Sequence, residues 1–165
     1  MAALLLRALD ARLDSAHGPR FASLASGVRG QLERAATQSG DGAFEEYRRA
    51  RDELDARFGP KVDLLLQRYC ASQLLRAPLA ESPSPIAYVA RLALRLCQVR
   101  FFLALHAAGR AVATEADLER AAVDVVQLLA KNLEQHPAFR DAVEGALDCQ
   151  DADRFGRALV FAKFL

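Results

Sequence analysis

Tryptophan is absent from this chain, methionine occurs once, and valine and isoleucine are sparse. Strands draw on β-branched and aromatic residues, so this scarcity argues against a sheet anywhere in the fold. CxxC spacing is missing as well. Three cysteines stand far apart at Cys70, Cys97 and Cys149, which excludes a zinc ribbon or an iron–sulfur cluster built from local spacing. An odd, scattered set of thiols fits a reducing, cytoplasmic setting. Charge of one sign is not in excess either: 22 basic and 21 acidic residues give a net charge of +1. Nucleic-acid binders need a basic surplus or stripe to neutralise phosphates, so no nucleic-acid partner is expected. There is no glycine-rich phosphate loop, since "GVRGQ" does not follow a strand, and no GxSxG elbow or HExxH pair occurs. A catalytic site is therefore not expected from this chain alone.

Alanine, leucine and arginine dominate instead, and all three are strong helix formers. With 52% apolar and 26% charged residues over 165 positions, the composition is that of one globular domain able to bury a core without disulfides or metals. Arginine outnumbers lysine, as in GC-rich bacterial genomes. The opening "MAALLLRALDARLD" reaches Arg7 and Asp10 too soon for a signal peptide, and its leucines follow a helical face.

Periodicity and punctuation predict an all-α, single-domain bundle of seven or eight helices around a long central apolar helix at about 86–108. The first helix runs over 2–16 and stops at Gly18 and Pro19; the second covers 20–38, with Phe21, Leu24, Val28 and Leu32 along one side. In that second helix Gly27 and Gly30 weaken it or mark a close approach to a neighbour. A charged amphipathic stretch follows over 43–58, and Gly59–Pro60 reads as its end and the start of another helix over 61–76. "APLAESPSP" (77–85), with three prolines in nine residues, reads as a connector inside one domain spanning 1–165. Gly109 is the expected C-cap of the central helix. "TEAD" then supplies Thr114 and Asp117 for a capping-box start of a helix over 114–135. Pro137 opens a helix over 137–147, and a final amphipathic segment covers 151–165. His17 and His136 fall at helix boundaries, where capping or surface roles are expected.

The stretch "LRLCQVRFFLALH" (94–106) comes nearest to chemistry. Length alone would allow a membrane span, but Arg91, Arg95 and Arg100 each cost about 2.5–3.5 kcal/mol near a bilayer centre. A Cys97–His106 metal site fails on phase, because nine residues at 100° per residue put the two on opposite faces. Tyr88, Arg91, Arg95, Gln98, Phe102 and His106 share one polar-aromatic stripe, with Arg100 on the far side of the helix. The stripe is either a solvated edge with snorkelling arginines or a groove. In the groove reading Arg91 and Arg95 bind a carboxylate or other anion, with Gln98 on the same face and Tyr88 or His106 beside it.

"LLLQRYCASQLLRAPL", "AYVARLALRLCQVRFFLALHAAGR" and "ADLERAAVDVVQLLAKNLEQHPAF" together resemble the carboxy-terminal helical region of the flagellin lysine N-methylase family. The resemblance covers roughly 100 residues, through Tyr69, Pro78, the 86–108 helix and Leu133-Glu134-Gln135-His136. Departures are Gln67 and Arg68 ahead of the tyrosine, an inserted Gln135, and the lack of the family's cysteine cluster. What the resemblance implies is a methyl transfer to flagellin lysines that uses S-adenosylmethionine and an iron–sulfur or metal centre. The part present here would be a substrate- or partner-binding region, a fragment or a subunit completed in trans, with flagellin or a catalytic subunit as partner and no cofactor or catalytic residue of its own. Two other readings stand beside it: a free-standing interaction or regulatory module that forms a homodimer, and a small-anion-binding helical bundle.

Overall fold

The computed structural model describes residues 19–36, 42–76, 84–110, 112–131 and 156. Over them the chain is all-helical, with four long helices: α1 (Pro19–Ala36), α2 (Gly42–Arg76), α3 (Pro85–Arg110) and α4 (Glu115–Leu129). The seven or eight helices expected from punctuation are not found among the described residues. One reason is that the helices expected over 43–58 and 61–76 are a single element. The segments 2–16, 137–147 and 151–165, His17, His136, Cys149, and the 77–83 part of the connector lie outside the described residues, Gly156 apart.

α2 continues through Gly59–Pro60 for 35 residues, which at 1.5 Å per residue is a rod of roughly 50 Å. Proline inside a helix removes an amide donor and costs about 3 kcal/mol relative to alanine. Packing overrides that penalty, because the buried stripe crosses the proline without a break: Tyr47, Ala50 and Leu54 precede it, and Val62, Leu66, Tyr69 and Gln73 follow. Phe58 keeps the three-to-four spacing across the junction, packed against the same core. Both halves of α2 therefore lie along one surface, and ending the helix at Gly59 would lift one of them away.

That surface is α3, which packs on α1, α2 and α4. The Ser84–Pro85 pair starts it, with Ser84 Oγ accepting from Ala87 N at 3.4 Å and its carbonyl from Tyr88 N at 3.0 Å. Every residue from Cys97 to Ala107 is buried. A helix covered on all sides over three turns is the centre of the bundle, as its composition implied. Phe101 stacks obliquely on Tyr47 of α2 at 5.1 Å and meets Phe102 edge-on at 5.5 Å.

Gly109 does not end α3, which continues to Arg110. Its small size serves another purpose. The Gln31 side-chain amide of α1, oriented to satisfy both groups, donates to Leu105 O at 3.0 Å and accepts from Gly109 N at 3.1 Å. A Cβ at position 109 would lie 2.5 Å from the end of that amide. Of the two readings of Gly27 and Gly30, close approach is not what is found: a Cβ at Gly27 would meet nothing within 4 Å, and one at Gly30 only Arg34 at 4.0 Å.

α4 begins as its sequence predicts. Thr114 Oγ1 accepts from Asp117 N at 3.2 Å, and Thr114 N donates back to Asp117 Oδ2 at 3.0 Å. Leu118, Ala121, Ala122, Val125 and Leu129 turn inward. Lys61 of α2 bridges to Glu119 at 2.6 Å and Glu115 at 3.6 Å, tying the two outer helices together. No described helix is long and apolar enough to cross a membrane.

Candidate functional site

The stripe read from the sequence does not form one site. Tyr88, Arg91 and Arg95 are half-buried on the first turns of α3, whereas Gln98, Phe102 and His106 are buried at 2%, 0% and 9% exposure. The face runs from the rim of the bundle into its interior. Arg95 is engaged there, donating from Nη1 to Oε1 of the buried Gln73 of α2 at 2.9 Å. Gln98 Nε2 has no hydrogen-bond partner among the described residues. His106 borders a cavity between α1, α3 and α4.

Opposite the stripe, Arg100 is buried as well. Its Nη2 donates to Asp55 Oδ2 of α2 at 2.6 Å, and Asp63 Oδ1 stands 3.7 Å from Nη1. Arg100 Nε and Asp55 Oδ1 are unpartnered among the described residues. Around the pair, burial pushes the Tyr47 hydroxyl up to about 12, against the pull of the Arg51 and Arg100 charges. Burial also pushes the Cys97 thiol up to about 12, although Arg100 favours its thiolate. A thiol so far from ionising is neither a nucleophile nor a ready metal ligand at neutral pH. Among the described residues no group of three or more His, Cys, Asp or Glu side chains could hold a metal ion. The buried pair joins α2 to α3, and sequence reasoning missed it. The signal was there: a lone arginine on the apolar side of a core helix requires an acid from a neighbour.

A roomier concavity lies elsewhere, where the first turns of α1, the last turn of α3 and the second half of α4 converge. It has a volume of about 230 Å³, and Arg20, Ser23, His106, Arg110, Asp124 and Gln127 supply its polar wall. Leu24 and Leu128 contribute apolar surface. Each helix presents these groups by its own periodicity: Arg20, Ser23 and Leu24 by three-to-four spacing, His106 and Arg110 by four, Asp124 and Leu128 by four. Arg110 Nη1 meets Asp124 Oδ2 at 3.4 Å across the opening. Behind the wall, the Gln31 amide on Leu105 and Gly109 fixes the α3 turn that carries His106.

His106 Nε2 is buried and has no partner among the described residues. Burial lowers the pKa of its imidazole below 6.5, the Arg110 charge lowers it further, and Asp124 opposes both. The ring is neutral at pH 7 and can donate through one nitrogen and accept through the other. The wall therefore holds two guanidinium groups, one carboxylate already engaged with one of them, a hydroxyl, an amide and a neutral imidazole. Such a set recognises an anionic group and offers it hydrogen bonds. Sequence reasoning found His106 but not Arg20, Ser23 or Asp124, since nothing in the local pattern brings positions 20, 106 and 124 together. Compared with family models, with curated proteins and with solved structures, the chain matches none.

Proposed function

We propose that the chain is a ligand-binding helical bundle whose site is the cavity between α1, α3 and α4, and that it takes a small molecule bearing an anionic group. One observation carries the reading: the cavity wall gathers the guanidinium groups of Arg20 and Arg110 with Ser23, His106 and Gln127. Arg110 is engaged by Asp124, which leaves the Arg20 guanidinium of the wall for an anion. A volume near 230 Å³ lies below the range of about 300–1,000 Å³ usual for drug-sized ligands and suits a small metabolite. The bundle binds and does not transform its ligand in this reading, because the described residues of the wall hold no nucleophile paired with a base. A panel of small carboxylates, phosphates and sulfate, screened by thermal unfolding of the full chain, tests it. At least one anion is expected to raise the unfolding midpoint, with the effect lost in Arg20→Gln; a panel without any such anion overturns the proposal.

A second reading rests on a different observation. Leu74, Leu75 and Val89 are exposed at 47%, 85% and 54%, on the helix ends that flank the 77–83 connector. Exposed apolar side chains grouped at one end of a bundle suit a protein partner. In this reading the chain is the partner-binding region of a flagellin lysine N-methylase type, as its second half resembles, and it meets flagellin, a catalytic subunit or a second copy through that end. Light scattering over a range of concentrations and binding to purified flagellin test it. Leu75→Glu should weaken whichever association is found, and a monomer with no flagellin binding removes the reading.

A further inference from the structure

Two guanidinium groups and one carboxylate share the wall of the α1–α3–α4 cavity, and the carboxylate serves only one of the two. Asp124 Oδ2 of α4 accepts from Nη1 of Arg110, in the last turn of α3, at 3.4 Å. Among the described residues Asp124 makes no other salt bridge, and Arg20 of α1 pairs with no acid. The Arg110–Asp124 contact is loose. Guanidinium–carboxylate hydrogen bonds close to about 2.7–2.9 Å and are commonly two-pronged, whereas here a single prong stands well outside that range. The Arg110 side chain is 58% exposed and that of Asp124 28%, and an exposed pair of this kind is worth little and exchanges easily.

For an anion in this cavity Asp124 is an obstacle in two ways. Its charge repels the ligand, and it occupies one of the two cations that the ligand would use. A ligand oxygen would be to Arg110 what Asp124 Oδ2 already is. Ligand and side chain therefore compete for one guanidinium.

Given the small-anion reading, on which this role rests, we propose that Asp124 is an internal competitor of the ligand: it holds Arg110 before binding, and an anion anchored on Arg20 takes Arg110 over from it. Arg20 supplies the first attachment, because no described acid holds it. The exchange is easy, because the contact given up is long and single. It leaves the Asp124 carboxylate beside the bound anion, and that sets how much negative charge the site tolerates. Two guanidinium groups and one carboxylate give the wall a single net positive charge. A monoanion balances it, and the second charge of a dianion meets Asp124 instead.

Isothermal titration calorimetry of the full chain at pH 7.5 and low ionic strength, where screening is weak, tests the competition with sulfate as a dianion and acetate as a monoanion. Asp124→Asn keeps the shape of the side chain and removes its charge. It is expected to tighten sulfate by about tenfold, and acetate by less. Adding Arg110→Gln should abolish that gain, since the released guanidinium is what the anion acquires. Arg20→Gln should weaken sulfate by about tenfold in either background. Arg20 and Arg110 are exposed and Asp124 half-buried, so each variant should keep the wild-type fold, which circular dichroism checks. Asp124→Ser repeats the first arm without an amide that could still hold Arg110. Sulfate affinity unchanged or weakened in both Asp124→Asn and Asp124→Ser, with wild-type binding still lost in Arg20→Gln, would overturn the competition and leave the small-anion site standing. A gain that survives Arg110→Gln would overturn the exchange, since repulsion alone would then account for it. No binding of either probe to any of these proteins up to about 50 mM, weaker than any affinity useful to a cell, would remove the small-anion reading and the competition together.

Discussion

Arg100 of α3 donates to Asp55 of α2 at 2.6 Å, joining two helices across 45 residues of sequence in the interior of the bundle. The arginine side chain is 8% exposed and the aspartate 30%. Removing Asp55 leaves the buried Arg100 charge with the exposed Asp63, at 3.7 Å, in its place. Asp55→Leu is expected to destabilise the fold by about 2 kcal/mol, less than the 3–5 typical of fully buried pairs. The discount reflects the exposure of Asp55 and the presence of Asp63 at 3.7 Å. Adding Arg100→Met to that variant should recover most of the loss, since two apolar groups satisfy each other. Urea unfolding of the single and double variants measures both; a single variant as stable as the wild type would show that the pair carries no energy.

Pro60 is the next point of leverage. It lies inside α2 on an exposed position, where proline costs up to about 3 kcal/mol relative to alanine. Proline also stiffens the unfolded chain, which offsets about 0.4–1 kcal/mol of that. Pro60→Ala is therefore expected to stabilise the fold by about 1–2 kcal/mol and to raise its melting temperature. A loss of stability on this substitution would mean that α2 needs the proline at its middle.

Gly109 and Gln31 should be energetically coupled. Alanine is worth about 0.8–1.0 kcal/mol more than glycine in a helix, yet a Cβ at 109 would lie 2.5 Å from the Gln31 amide. In the wild type, Gly109→Ala gives up the bridge to Leu105 and Gly109, at about 1 kcal/mol for hydrogen bonds in part-shielded positions, so the net change is near zero or unfavourable. Placed on a Gln31→Ala background the same substitution should stabilise by about 0.5–1 kcal/mol. A double-mutant cycle reads the difference, and additive effects would rule out the coupling.

His106 ties stability to pH. Burial first and Arg110 second hold its folded pKa below the 6.5 of the free side chain, with Asp124 opposing. The unfolded chain thus binds the proton more readily than the native one. The contribution is fully present above about pH 6.5 and is lost as the pH falls through the lower folded value. Urea midpoints measured from pH 8 down to pH 5 should decline, and His106→Gln should flatten that decline relative to the wild type. An identical slope in the variant would place the titration on other groups.

Much of the helical framework could be read without coordinates, for local reasons. The Thr114–Asp117 box starts α4 because two side chains three residues apart satisfy each other's backbone donors. The central place of α3 follows from its composition, apolar around most of the helix with one narrow polar stripe. Local signals misled at Gly59–Pro60. There the dipeptide favours a break, and only the continuity of Tyr47, Leu54, Val62 and Tyr69 along one face argued otherwise.

The candidate site was legible only at His106. The angular stripe from Tyr88 to His106 holds along a helix in isolation, but which part of it meets solvent depends on α1, α2 and α4. Gln73 of α2 engages Arg95, and the bundle closes over Gln98 and Phe102.

The sequence by itself determined that this chain is helical, where α1, α3 and α4 start, and that α3, apolar apart from one narrow stripe, lies in the middle of the bundle. Those properties arise from interactions within three or four residues, which any reading of the chain can count. Tertiary structure alone decided that α2 runs unbroken through Pro60, that Arg100 has Asp55 as its counter-charge, and that Gln31 reaches Gly109. It also decided that Arg20, His106 and Asp124 share one cavity. Each of these joins positions far apart in sequence, or weighs a local penalty against burial along a neighbouring helix, and is set only when the helices pack.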